Sequence, residues 1–145
     1  ESIGRSFQLE QVLQTGWRAV FVTQRGDPRI VLFGGPLQCN HNVFVESEDH
    51  SIVVNTRAGE DLISITRKHP IKPSIIGPIR TDFDVRNIVR ALGTEATTTS
   101  DGQLRGLGVS YAQVTTILER LIATGALDAE FWRGPPPEIQ VPVKK

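Results

Sequence analysis

The stretch "GLGVSYAQVTTILERLIATGALDAEF", residues 106–131, contains the clearest helix pattern of the chain. Ser110 and Gln113 have the S-x-x-Q spacing of a capping box, and Gly125 supplies a left-handed stop, so a helix is predicted over residues 110–124. One apolar stripe runs along it, made of Val114, Ile117, Leu118, Leu121 and Ile122. The stripe predicts a helix that docks on a sheet or on a neighbouring molecule. "LDAEFW", which follows, predicts a short strand.

The segment before this helix predicts a second, shorter one. "TDFDVRNIVRALG", residues 81–93, has apolar residues at helical spacing and ends in Gly93. Thr81 and Asp84 are candidates for its N-terminal cap. Residues 94–105, between the two helices, are polar and without periodicity, which predicts a mobile loop.

The first half of the chain has the pattern of short strands. In "WRAVFVT" the residues Trp17, Ala19 and Phe21 lie opposite Arg18, Val20 and Val22, and "QRGDP" is a turn that leads into a hairpin partner. The five runs of strand length are residues 17–23, 29–33, 42–47, 51–56 and 62–67. Their short connections predict an antiparallel meander or small barrel.

The segments around these strands complete the prediction. Residues 6–16 predict a short helix with Ser6 as its cap, and the proline-containing residues 68–80 predict an extended connector or edge segment. The fold class is therefore predicted to be α+β. The expected parts are a β-rich body with the N-terminal helix over 1–80, a helical module with its short strand over 81–133 and a proline-rich extended tail over 134–145.

Composition excludes several classes of function. The 145 residues carry 16 basic and 16 acidic side chains, so no overall charge attracts nucleic acid or anionic lipid. Cys39 is the single cysteine, which excludes an internal disulfide, and no apolar run has the length of a membrane-spanning helix. The sequence contains no methionine, which predicts a mature or excised segment from which any export signal is already removed.

No motif indicates catalysis, a metal or a cofactor, and the chain is predicted not to be an enzyme. A metal-binding interpretation could combine His41, His50 and Asp49, but their spacing is not that of a specific ligand set. Cys39 and His41 would share a face of a strand as a thiolate pair, but no orienting acid is implied. His41, His50 and His69 are better interpreted as polar residues at strand ends and turns. Cys39 is expected to be buried and structural.

Basic residues suggest a contact surface. Between residues 66 and 90 lie Arg67, Lys68, Lys72, Arg80, Arg86 and Arg90. This surface would fit a nucleic acid, an acidic protein partner or a polyanionic wall polymer. Against nucleic acid, the helix over 110–124 has Arg120 as its only cation, and Glu119 offsets it. A small carbohydrate- or peptide-binding domain is a further interpretation, and it would need Trp17 or Trp132 as an exposed platform.

The two helical segments together resemble the C-terminal end of the bacterial flagellar P-ring protein. In that family a T-x-x-D-hydrophobic-x-R-A-L segment runs into L-G-V-S, an apolar helix and a G-A-L-x-A-E exit. The matching residues here are Thr81, Asp84, Arg90, Ala91, Leu92, Leu107, Gly108, Val109, Ser110, Ile117, Leu118, Leu121, Gly125, Ala126, Leu127, Ala129 and Glu130. "VVNTRAG", residues 53–59, is similar to the family's V-V-N-x-R-T-G segment. The resemblance covers about a third of the chain.

The chain departs from the family pattern at residues 94–105, which are inserted where R-A-L and L-G-V-S nearly adjoin, and residues 17–47 match nothing in it. The resemblance implies a periplasmic protein without enzymatic activity or cofactors, whose copies assemble into a ring around the flagellar rod. It implies other copies, the rod, other ring proteins or peptidoglycan as partners, and no membrane span.

Overall fold

The computed structural model describes residues 1–4, 6–13, 16–56, 60–68 and 75–134. The described residues form two sheets and two helices, which confirms the α+β class. The strands are β1 (Ser2–Ile3), β2 (Phe7–Val12), β3 (Ala19–Val22), β4 (Arg29–Phe33), β5 (Phe44–Glu46), β6 (Ile52–Thr56), β7 (Ile63–Lys68), β8 (Ile75–Thr81) and β9 (Glu130–Arg133). The helices are α1 (Val85–Gly93) and α2 (Tyr111–Ala123). The predicted tail lies outside the described residues from position 135 onward.

The first sheet has five strands in the order β1-β2-β4-β3-β9. The predicted hairpin is confirmed, since β3 and β4 pair antiparallel with Ala19 opposite Phe33. Two pairs are parallel, β2 with β4 and β3 with β9. The expectation of a purely antiparallel body is therefore wrong for this sheet. The strand after α2 completes a sheet that begins at the other end of the chain.

The predicted helix over residues 6–16 is wrong, because this segment contains strand β2. Phe7 and Leu9 are buried while Gln8 and Glu10 are exposed, an alternation with the period of a strand. Leu13, which follows the strand, is 51% exposed. Pairing with β4 along the whole strand outweighs the local helical spacing.

The second sheet is antiparallel, in the order β5-β6-β7-β8. Strands β5, β6 and β7 match strands predicted from the sequence. The fourth strand, β8, lies in the proline-containing segment. Pro78 is in β8 at the edge of the sheet, where a missing N–H group is tolerated, and the register between β7 and β8 shifts between Ile65 and Arg67. An extended edge segment is thus confirmed for residues 75–80, whereas residues 69–74 of the predicted segment lie outside the described residues. The prediction of about five strands was too low, because β1, β2 and β8 were not recognised as strands.

Both helices begin at side-chain caps and pack on one main core. Asp84 accepts a hydrogen bond from the Arg86 amide at 2.9 Å, and Ser110 accepts one from the Gln113 amide at 3.3 Å. The main core contains buried residues from both sheets and both helices, including Ile88 and Ile117. Neither helix has the length and apolar character that crossing a membrane requires, a finding limited to the described residues.

The first sheet buries apolar side chains on its other face as well. Val20 and Val22 point into the main core, whereas the alternate residues Ala19 and Phe21 belong to a second cluster. This outer aromatic cluster comprises Ala19, Phe21, Val31 and Phe33, with Val12 and Trp17 packed against it.

Candidate contact surfaces and the C-terminal module

The stripe of α2 faces the core of its own chain. Four of its members are fully buried, namely Val114, Ile117, Leu118 and Leu121, and Ile122 is partly buried against the same core. Burial of this face leaves the polar face of the helix at the surface. The structure thus places the predicted docking surface within the subunit.

The exit from α2 joins the helix to the segment between β4 and β5 and to β9. Gly125 has a φ of 84°, the left-handed conformation that ends many helices. Beyond it, the Leu127 amide donates to the Leu121 carbonyl at 3.0 Å, and Leu127 forms a bridge with Cys39. The Asn40 amide donates to the Ala126 carbonyl at 2.9 Å. The "GAL" residues are therefore a fixed connection that directs the chain into β9.

The segment before α2 is hydrogen-bonded directly to the end of α1. The Leu107 amide donates to the Ala91 carbonyl at 3.0 Å, and the Val109 amide donates to the Leu92 carbonyl at 2.8 Å. A Cβ on Gly106 would collide with the backbone of Thr94, so only glycine fits there. The R-A-L and L-G-V-S residues are therefore in contact although they are separated in sequence.

The intervening residues form a small hairpin. Thr98 and Leu104 make an antiparallel bridge, and the Thr99 amide donates to the Gln103 carbonyl at 2.8 Å. The Arg105 amide closes the base with a 2.8 Å bond to the Thr97 carbonyl. The predicted loop over residues 94–105 is thus a hydrogen-bonded hairpin whose two ends meet at the junction between the helices.

Most of the described cations in the predicted basic surface have partners within the chain. Arg90 and Arg86 both contact the Glu1 carboxylate, at 2.7 and 3.2 Å, and the Arg90 guanidinium is the main reason that the pKa of Glu1 lies below its ordinary value. Arg67 donates to the Leu107 carbonyl at 2.7 Å and thereby supports the segment before α2.

The remaining cations do not form one patch. Lys68 and Arg80 are exposed, but Arg80 lies opposite Ser64, four residues along β7 from Lys68. At ~3.3 Å per residue this is a separation of roughly 13 Å along the sheet. Lys72 lies outside the described residues. The described members of the set are therefore divided between the α1 surface, the junction before α2 and the edge of the second sheet.

The two described histidines lie at separate places on the surface. His41 stacks on Phe83 with the ring centroids 4.2 Å apart, and its Nδ1 is 3.5 Å from an Asp61 carboxylate oxygen. His50 is 3.4 Å from Glu46. The described part of the chain brings no three His, Cys, Asp or Glu side chains together in a geometry that could hold a metal. His69 is outside that part.

Asp49 lies in a hydrogen-bonded turn, and Cys39 lies in the core. Asp49 accepts hydrogen bonds from Ser51 and Ser47 in the turn between β5 and β6, and these bonds lower its pKa to about 2. Cys39 is buried, as predicted, and burial raises the pKa of its thiol to about 12. At neutral pH such a thiol is protonated and a poor nucleophile.

Sequence reasoning named Trp17 and Trp132 separately and missed that they flank one cluster. Trp17 packs on Phe21 with ring centroids 5.2 Å apart, and Trp132 stacks on the same ring at 6.0 Å with an interplanar angle of 10°. Trp132 remains 48% exposed. The alternation of Trp17, Ala19 and Phe21 was the available signal. It places Ala19 and Phe21 on one face of β3 and continues to Trp17 just before the strand.

Comparisons of the chain with protein-family models, curated proteins and solved structures found no match. The functional assignment therefore rests on the residues and their arrangement.

Proposed function

We propose that the chain is a structural, non-enzymatic subunit of the bacterial flagellar basal body, similar to the P-ring protein. Its copies assemble into a periplasmic ring around the rod. The observation that carries this proposal is the contact between the end of α1 and the start of the α2 segment. It bears directly on the main departure of the sequence from the family pattern.

In the family pattern R-A-L and L-G-V-S nearly adjoin, whereas here residues 94–105 separate them. The hydrogen bonds from Leu107 to Ala91 and from Val109 to Leu92 bring the two halves together in space. Residues 94–105 form a hairpin that begins and ends at this junction. This is the geometry expected of an insertion into an existing helical module, and it supports the resemblance.

The residues that carry the resemblance have mainly a packing role. Leu92, Leu107, Leu118 and Leu127 are at most 1% exposed. A shared pattern of buried residues indicates a shared way of packing the module. The surfaces that contact other ring subunits must then be sought among exposed residues, since the stripe is already covered.

Exposed strand edges are the surfaces that suit assembly. Within the described residues each sheet ends in strands with only one neighbour, β1 and β9 in the first and β5 and β8 in the second. Such edges pair readily with other chains. A net charge of zero does not oppose the close approach of many copies.

The proposal is tested in purified basal bodies. We expect mass spectrometry of basal bodies from the source bacterium to detect the protein in ring-like copy number, and deletion of its gene to yield basal bodies without the corresponding ring and cells without motility. Complementation with the unaltered gene is the control. Complete basal bodies in the deletion strain, or absence of the protein from them, would overturn the proposal.

Nucleic-acid binding by the basic residues stays a prediction. The contacts of Arg67, Arg86 and Arg90 within the chain weigh against it, because they occupy donors that phosphates would need. Binding to generic duplex DNA with a steep salt dependence would support it. Failure to bind at low salt would eliminate it.

A further inference from the structure

We infer that β9 is a self-association edge, and that a second copy of the chain pairs with it antiparallel across a twofold axis at Trp132. This inference goes beyond the ring proposal, because a twofold contact is closed and joins only two copies, so the contacts that propagate around a ring would use the other edges.

The hydrogen-bonding groups at this edge follow from the pairing with β3. The Glu130 amide donates to the Arg18 carbonyl at 3.0 Å and the Gly134 amide to the Val22 carbonyl at 2.8 Å. In a parallel pair alternate residues bond to the neighbouring strand, so the N–H and C=O groups of Phe131 and Arg133 point away from β3. No described strand lies on that side.

β9 lacks the features that discourage pairing at the other edge strands of the two sheets. β8 carries Pro78 beside a shift in register, β1 has two residues and β5 has three. Proline, irregular register and shortness all discourage pairing with another chain. β9 has four residues without proline, three of them exposed, and regular register against β3. It is therefore the edge best suited to accept a strand.

One antiparallel register makes β9 complementary to itself. When Trp132 lies opposite the partner's Trp132, Phe131 lies opposite the partner's Arg133. The outward-pointing groups of both residues then form four hydrogen bonds across the axis. Each arginine faces a ring, as Arg133 already does over Phe131 in its own chain at 5.2 Å.

Neighbouring registers are less favourable. A shift by two residues in one direction places Arg133, which is paired with Glu119 at 2.9 Å, opposite the partner's Arg133, and places Phe131 opposite a residue beyond the end of β9. This register loses both cation–ring contacts and half of the hydrogen bonds within the strand. The same shift in the other direction places Arg133 opposite a residue before the start of β9, which removes bonds from the strand. The sequence Glu-Phe-Trp-Arg therefore specifies the register centred on Trp132.

The apolar surface beside the edge favours a second copy as the occupant. Trp132 is 48% exposed and stacks on Phe21 of the outer aromatic cluster. Pairing across the axis would bury this side chain against its counterpart and join the two clusters. The zero net charge of the chain does not oppose association with itself.

The first test is the oligomeric state of the 145-residue chain by sedimentation across a concentration series. We expect a monomer–dimer equilibrium, and Trp132→Glu should raise its dissociation constant by about thirtyfold or more because two carboxylates then face each other on the axis. Phe44→Glu is the matched control. Phe44 is an aromatic residue, 63% exposed, on the edge strand β5, and its replacement should leave the dimer intact.

A second test determines the register and does not depend on the folding of the glutamate variant. Residues opposite each other at a position without hydrogen bonds are close enough for a disulfide, so Trp132→Cys should form a cross-linked dimer under mild oxidation. Glu130→Cys and Phe44→Cys should not, and Cys39 is buried. A chain that is monomeric at every concentration, or equal cross-linking of all three variants, would overturn the inference. Either result would leave a peptide or a saccharide as the ligand of the Trp132 surface.

Discussion

Leu121 is the residue whose truncation most directly tests the packing of α2. It is fully buried in the main core, so Leu121→Ala removes apolar contacts and leaves a cavity. The expected loss is about 2–5 kcal/mol in the free energy of unfolding, measured by urea denaturation. Leu13→Ala is the control, because Leu13 is 51% exposed and its truncation should cost less than about 0.5 kcal/mol. A loss for Leu121→Ala as small as that of the control would contradict the placement of the stripe.

Gly106 tests the junction between the helices. Gly106→Ala forces a methyl group against the Thr94 backbone, and the strain should cost about 1–3 kcal/mol of stability. In Gly16→Ala the added methyl meets nothing within 4 Å, so thermal or urea unfolding of that variant should be nearly unchanged. Equal effects of the two substitutions would show that the junction is looser than the structure indicates.

For single residues, the sequence predicted the roles that depend on residues a few positions away in the chain. The Ser110 cap, the Gly125 stop and the stripe of α2 all follow from spacings within one helix. Arg90 and Glu1, which are in contact, are 89 positions apart in the sequence, and Arg67 and Leu107 are 40 positions apart. No local pattern encodes such pairs, so the basic residues were interpreted as a contact surface although several hold the fold together.

The hairpin between the helices is an element that the fold should tolerate losing. Because Thr94 and Gly106 approach each other closely, residues 95–105 can be replaced by two glycines without separating α1 from α2. We expect the shortened chain to retain its circular dichroism spectrum and to lose about 1–2 kcal/mol of stability, mainly because Leu104 of the hairpin packs against the main core. Loss of cooperative unfolding would indicate that the hairpin is required for the junction.

The turn between β5 and β6 predicts a specific pH response. Its Asp49 carboxyl has a pKa of about 2 in the folded chain, compared with an ordinary value of 3.8. The folded state therefore binds this proton less readily than the unfolded state. The resulting stabilisation is fully present above pH 3.8 and is lost as the pH falls through about 2.

Removing one donor tests this response. Ser51→Ala should raise the pKa of Asp49 toward 3.8, observable by NMR titration of the carboxyl carbon. Asp101 is the internal control, because its lowered pKa depends on Thr99 and should not change. An unchanged titration of Asp49 would mean that the hydrogen bonds from Ser51 do not persist in solution.

Among the elements, pattern alone distinguished helices from strands wherever the pattern was long. α1, α2, β3 to β7 and the short strand β9 were predicted. Residues 7–12 carry both a helical and an alternating pattern, and their pairing with β4 decides between them. Parallel pairing of β3 with β9 leaves no local signal, because it joins strands from opposite ends of the chain. The open edge of β9 was therefore beyond sequence reasoning.

For the whole molecule, Cys39 is a reporter of unfolding. Its amide donates to the Phe83 carbonyl at 2.8 Å and its backbone bridges Leu127, so the thiol lies where the second half of the chain closes on the first. We expect native-state alkylation by iodoacetamide to be at least about a hundredfold slower than in denaturant. Leu121→Ala should accelerate it in proportion to the lost stability. Rapid labelling of the native chain would show local opening at this site.

The pairing of β3 with β9 has a consequence for how the chain reaches its native state. Val20 meets Phe131 across more than a hundred residues, so one edge of the central hairpin stays open until almost the whole sequence is present. Contacts of such long range are formed late and slow the search for the native topology. Meanwhile the β3 edge can join the wrong partner, as happens in many slowly folding sheets. Protection of the β3 edge therefore waits until the C-terminal module has folded.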